Sequence, residues 1–156
     1  MRRGLCVAAA LAMAVGLTGT ACSGSDSGKS SASSASTSAS AAPVAADKLP
    51  GLVPTPANTK DTKGPDSIAD NGIHLHFEVG TAPTDAMAGF KAALTDMGWA
   101  MTTIVTSGGP GGGGATYTGT NGAAYGVFDG GGFNTTTFIN VCVWPTKPAD
   151  PNCTRS

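Results

Sequence analysis

Glutamate occurs once in the 156 residues, at Glu78. Hydrolysis of a glycoside by two carboxylates would therefore need an aspartate partner, and no pattern in the chain indicates one. Positive charge is scarce beyond residue 71. Lys91, Lys147 and Arg155 stand there against Glu78, Asp85, Asp96, Asp129 and Asp150, and the whole chain has a net charge of -1. No basic stripe forms, so nucleic acid is not expected as a partner. Serine in the same region is limited to Ser107 and Ser156, and no G-x-S-x-G elbow is present. A Ser-His-Asp arrangement would need Ser107 beside His74 or His76 with an aspartate behind, and nothing in the sequence brings them together. The glycine-rich stretch SGGPGGGGAT, residues 107–116, lacks the Gly-Lys-Ser/Thr ending of a phosphate loop, and no helical pattern follows it. It reads as a flexible strand-to-strand loop. No apolar run reaches the ~20 residues that a membrane-spanning helix needs. These absences leave no catalytic set, so neither an enzyme nor a cofactor is expected.

What is present begins with an address. Met1-Arg2-Arg3 is basic, Gly4 to Leu17 is small or apolar throughout, and no acidic residue precedes Asp26. This is the pattern of a secretory signal peptide, expected over residues 1–21, with Gly19 and Ala21 at the positions a signal peptidase reads. Cysteine occurs at Cys6, Cys22, Cys142 and Cys153. Cleavage after Ala21 removes Cys6, and the odd number that remains needs a reason. The segment LTGTAC resembles a bacterial lipobox, and the resemblance implies diacylglycerol on the Cys22 sulfur. It leaves Cys142 and Cys153 as a disulfide pair. Gly19 stands where lipoboxes usually carry a large aliphatic residue, so ordinary cleavage with a free Cys22 is the alternative. Residues 22–48, rich in serine and alanine, contain little that could offset the entropy of ordering, and a disordered tether is expected. The N-terminal third as a whole resembles the actinobacterial (mycobacterial-type) surface lipoproteins. That resemblance implies a lipid-anchored, extracytoplasmic protein with the cell membrane as partner, and it names no activity. Without the lipid the chain would be secreted.

Residues 49–71 carry four prolines and scattered charge, and an extended linker is expected. Loose packing through Leu49, Leu52 and Val53 is the alternative. A small α+β domain is expected over 72–156. In IHLHFEV the apolar Ile73, Leu75, Phe77 and Val79 alternate with His74, His76 and Glu78, which predicts a half-buried strand. A helix follows, capped by Thr81 or Thr84, with Pro83 in its first turn and a stripe of Met87, Phe90, Leu94 and Met97. Gly98 stops it, and Trp99 folds back on its last turn. WAMTTIVT reads as a strand, and Asn121-Gly122 marks a hairpin turn between two more. DGGGFN, residues 129–134, reads as a loop, and Thr135 to Trp144 as the last strand. The expected architecture is β-α-β-β-β-β, one helix on a mainly antiparallel sheet of four to five strands. On the last strand Ile139, Val141 and Val143 should meet the helix. The C-terminal tail should fold over the opposite side, at Phe138 and Trp144, held by Cys142–Cys153.

One constellation carries possible chemistry. His74, His76 and Glu78 share a strand face, and imidazoles so placed can chelate zinc or copper weakly, with the carboxylate as a third ligand. The plainer reading is a solvated polar face. Three functions therefore compete: a non-catalytic binding or accessory module of the cell envelope with a small molecule or envelope protein as ligand, a structural envelope-interaction protein, and a metal binder or metal-dependent enzyme using the His74/His76 pair.

Overall fold

The computed structural model describes residues 42–154. The expected signal peptide, Cys22 and the tether as far as residue 41 lie outside the described residues.

Among the described residues six strands and one α-helix follow each other as β1 (Thr59–Ile68), β2 (Gly72–Val79), α1 (Pro83–Asp96), β3 (Ala100–Gly109), β4 (Gly112–Asn121), β5 (Ala124–Phe133) and β6 (Thr136–Trp144). Short 3-10 turns span Ala46–Leu52 and Ala69–Asn71. All the strands join one sheet in the order β1-β2-β6-β5-β4-β3, and every neighbouring pair is antiparallel. The α+β expectation holds, but the sheet has six strands where four to five were expected. The additional strand is β1, which lies inside the segment expected to be a linker. Its sequence, TKDTKGPDSI, is exposed almost throughout, so no burial alternation marks it as a strand. Pro65 lies in a register shift between Lys63 and Asp66 and follows a cis peptide bond after Gly64. An edge position tolerates a residue with no N–H to donate.

Alternation in β2 places Ile73, Leu75, Phe77 and Val79 in the core with Met87, Phe90 and Leu94 of α1 and with Ile139, Val141 and Val143 of β6. Met97, expected on the same stripe, is 40% exposed. It is the C-cap rather than a helical residue, and its backbone has turned off the stripe. The helix ends as anticipated: Gly98 takes a φ of 88° and donates to the Thr95 carbonyl, while Trp99 N–H donates back to that of Leu94. At its other end the N-cap is Ala82, with no side-chain cap. Thr84 lies inside the helix, and the Thr81 hydroxyl is engaged elsewhere, accepting from Asn58 Nδ2 at 3.0 Å.

α1 packs on β3 to β6, and the Ala46–Leu52 turn covers the same face at β2 and β6. Leu49 is fully buried there, with Val44, Leu52 and Val53 packed around the core. Trp99 joins the two covers. Its ring meets Phe128 edge-on at 5.1 Å, and its Nε1 donates to the Leu52 carbonyl at 2.8 Å. Residues 44–53 are therefore part of the domain's packing: Leu49, Leu52 and Val53 pack as the alternative to a linker anticipated, whereas Val44 and the start of the turn, expected in the disordered tether over 22–48, are ordered against the core as well.

β2 and β3, linked through α1, run parallel to each other but are not neighbours. The antiparallel series β3 to β6 fills the gap and returns β6 to the inner edge of β2. The glycine-rich stretches are not loops. Gly112–Gly114 belong to β4 and Gly130–Gly132 to β5, and Pro110-Gly111 alone makes the turn between β3 and β4. The next hairpin turns at Gly122-Ala123, one residue later than expected, because Asn121 pairs with Ala124.

Candidate functional site

The face of the sheet away from α1 divides into an apolar end and a polar groove. At the apolar end Tyr125, Val127, Cys142 and Trp144 cluster with Ile68 and Cys153. Cys142 and Cys153 are bonded, with Cα atoms 5.6 Å apart, and the disulfide holds the tail over this end. Trp144 is buried, whereas Phe138 is 44% exposed, so the tail covers only one of the two aromatics it was expected to cover.

The groove begins where the tail stops. Strand register aligns one residue from each strand in a row across the sheet: Lys63, His76, Asn140, Asp129, Thr116 and Val105. His76, Asn140 and Asp129 are all more than nine-tenths buried. Asn140 Oδ1 faces His76 Nδ1 at 3.2 Å and His74 Nε2 at 3.1 Å, and Thr116 Oγ1 donates to Asp129 Oδ1 at 2.6 Å. Buried polar groups of this kind are tolerated because they are hydrogen-bonded.

The adjacent row reads Asp61, Glu78, Phe138, Gly131, Gly114 and Ser107. Between the Phe138 ring and Ser107 the two glycines leave the floor at backbone level. A Cβ on Gly131 would come within 3.0 Å of the Gly113 carbonyl oxygen, and one on Gly114 would run into that of Gly130. Phe138 stands at the wall with its ring stacked on His76, centroids 6.0 Å apart. The resulting cavity holds about 720 Å³. That lies in the range of small-molecule sites, ~300–1,000 Å³.

The three sequence-predicted ligand residues do not form a cluster. His74 and His76 are buried on one amide oxygen rather than solvated, because Asn140 stands between them on the neighbouring strand. Glu78 lies one row further along, opposite Asp61 and Phe138. Among the described residues, the group whose ligand atoms converge is His74, Cys142 and Cys153, within 4.8 Å of one another. Both sulfurs are in the disulfide, so neither is the thiolate that a zinc or copper site would use. Ser107 and His76 both line the groove. They sit on strands four positions apart in the sheet, on the order of 19 Å at ~4.8 Å per strand, so they do not form a nucleophile-base pair.

Asn140, Asp129, Thr116 and Lys63 were not singled out as site residues by the sequence. The available signal was a lone asparagine within the apolar run FINVCVW. No family model, curated protein or solved structure matches this chain.

Proposed function

We propose that this chain is a non-catalytic ligand-binding module of the cell envelope and that the groove holds its ligand. The observation that carries the reading is the row of buried, hydrogen-bonded polar side chains at the floor of an open cavity of about 720 Å³, beside a large aromatic left 44% exposed. A purely structural surface has no need to bury His76, Asn140 and Asp129 next to empty volume. Among the described residues the one carboxylate lining the groove is Asp129, which accepts from Thr116 and has Asn140 as cross-strand partner.

Native mass spectrometry of the chain purified from its own envelope tests this. The expected result is a retained small-molecule mass that is lost in Gly131→Val, whose fold is checked by thermal melting because a Cβ there presses on the Gly113 carbonyl oxygen at 3.0 Å. A wild-type protein that carries no mass and a Gly131→Val protein that behaves identically with every candidate ligand would overturn it.

The anchor belongs to the same proposal: Cys22 carries lipid and holds the domain at the outer face of the membrane. Detergent phase partition of the full chain expressed in an actinobacterial host tests this. The wild type should enter the detergent phase and Cys22→Ala the aqueous phase. Equal partition of the two would remove the anchor.

A further inference from the structure

We propose that Cys142, Cys153 and His74 make a zinc site that opens when their disulfide is reduced. The disulfide and the ion are then two alternative ways of fastening the same C-terminal tail to β6. The site lies at the apolar end of the sheet, outside the groove, and is independent of the reading given to the groove.

Geometry is the first support. His74 on β2 and Cys142 on β6 are direct cross-strand partners, and the tail brings Cys153 to the same place. The two sulfurs and a ring nitrogen of His74 lie within 4.8 Å of one another. Around a tetrahedral zinc, with Zn–S at ~2.3 Å and Zn–N at ~2.0 Å, such atoms stand about 3.5–3.8 Å apart. The two cysteine α-carbons are 5.6 Å apart, so rotation of the freed side chains covers the difference without moving the strand.

The donor set is the second. Asn140 Oδ1 stands 3.1 Å from His74 Nε2 and accepts the N–H of the neutral ring there, which leaves the Nδ1 lone pair for an ion. A carbonyl oxygen behind an imidazole in this way fixes the tautomer and raises the basicity of a metal ligand. Two thiolates with one imidazole are a donor set for zinc. Zn²⁺ with two thiolates carries no net charge, which suits a place where His74 is 8% and Cys142 2% exposed. A cavity of about 380 Å³ is lined by His74 and Cys142 and by the exposed carboxylates of Asp70 and Asp150. It offers an ion a way in, and it leaves the fourth position to water or to one of those carboxylates.

The reductant is a small-molecule thiol, RSH, and two equivalents supply both electrons. The first, as thiolate, attacks the sulfur of Cys153, the half-buried member of the pair, and forms a mixed disulfide while Cys142 leaves as a thiolate and takes up a proton. The second attacks the R sulfur of the mixed disulfide, releases RSSR and leaves Cys153 as a thiol. Zinc then displaces one proton from each cysteine. Oxidising surroundings keep the bond closed and the site shut.

The test uses the full chain with Cys6→Ser and Cys22→Ser, so that Cys142 and Cys153 are its only cysteines. One portion stays oxidised; the other is reduced with a phosphine and desalted without oxygen. Both are titrated with Zn²⁺ by calorimetry and with Co²⁺ by absorption. The reduced protein should take up one ion with micromolar or tighter affinity and show a thiolate-to-cobalt charge-transfer band, while the oxidised protein binds at least about 100-fold more weakly. Zn²⁺ should also reverse the red shift of Trp144 fluorescence that reduction causes, because the tail is fastened again. The imidazole ¹⁵N signal of His74 Nδ1 should move on zinc binding and those of His76 should not. His74→Ala, its fold checked by thermal melting, should bind at least about tenfold more weakly in the reduced form. No stoichiometric uptake by the reduced protein, or equal uptake by the two forms, would overturn the proposal. Full affinity in a folded His74→Ala with the His74 signal of the parent unmoved would overturn it as well, since two thiols alone would then be holding the ion.

Discussion

His76 on β2 and Asn140 on β6 are cross-strand partners and hydrogen-bond partners at once, Nδ1 to Oδ1 at 3.2 Å, and the same oxygen lies 3.1 Å from His74 Nε2. A carboxamide oxygen only accepts, so each imidazole must present an N–H to it. This fixes opposite tautomers in two residues that differ by two positions on one strand. Imidazole ¹⁵N shifts at neutral pH should report His74 protonated on Nε2 and His76 on Nδ1. Asn140→Ala would leave two buried rings without their acceptor, and chemical denaturation should show a loss of about 1–3 kcal/mol.

The disulfide ties the tail to β6 across a sequence separation of 11. In the chain-entropy treatment a loop of that size contributes about 3 kcal/mol. Reduction, or the Cys142→Ala/Cys153→Ala pair, should lower stability by that order in urea unfolding. The first effect should be exposure of Trp144 at the apolar end, visible as a red shift of its fluorescence.

Leu49 is fully buried although it lies within the proline-rich segment. Leu49→Ala should cost about 2–5 kcal/mol by the usual transfer and cavity contributions. A chain beginning at residue 72 lacks both this cover and β1. It should give a broad, non-cooperative melt where the chain beginning at residue 42 gives a sharp one. Equal cooperativity in the two would show that residues 42–71 are dispensable.

Two glycines should respond in opposite directions. Gly89 is exposed within α1, and a Cβ there meets nothing within 4 Å, so Gly89→Ala should stabilise by about 0.5–1 kcal/mol. A Cβ on Gly132 would collide with the Thr136 carbonyl oxygen, a backbone atom with no room to yield. Gly132→Ala should therefore destabilise, by about 1–3 kcal/mol as overpacking usually does. Thermal melts of the two variants beside wild type suffice.

Tyr117 packs in the core beneath Lys91, whose Nζ lies 5.2 Å from the ring centroid. Burial pushes the phenol's pKa above its usual value of about 10. The folded state thus holds this proton more tightly than the unfolded state. The stability it contributes is complete below about pH 10 and is lost as pH rises through the higher folded value. Melting temperature should fall in that alkaline window, and less steeply in Tyr117→Phe.

Particular residues show why some of this was legible in the sequence and some was not. β2, α1 and β6 were readable because each carries one periodic apolar face, as Ile73 to Val79, Met87 to Leu94 and Ile139 to Val143 illustrate. β1 was not, since its ten residues pair through backbone alone and bury almost nothing. The glycine strands were misread for a related reason. A residue with no side chain carries no periodicity, so Gly112–Gly114 and Gly130–Gly132 look like loops, although their register with each other is continuous. The groove was invisible because it exists only in the pairing. Lys63, His76, Asn140, Asp129 and Thr116 come from five strands, and local sequence does not specify which strands are neighbours.

The return of β6 to the inner edge of β2 has a consequence for how the chain comes into being. Val79 finds its partner at Thr137, and Ile73 finds its partner at Val143, close to the C-terminus. Such long separations raise contact order and slow folding. During synthesis, a nascent chain that has reached Phe133 but not Thr136 leaves two strand edges awaiting β6, one on β2 and one on β5. Open edges of this kind recruit other chains. Closure of the sheet thus waits for β6.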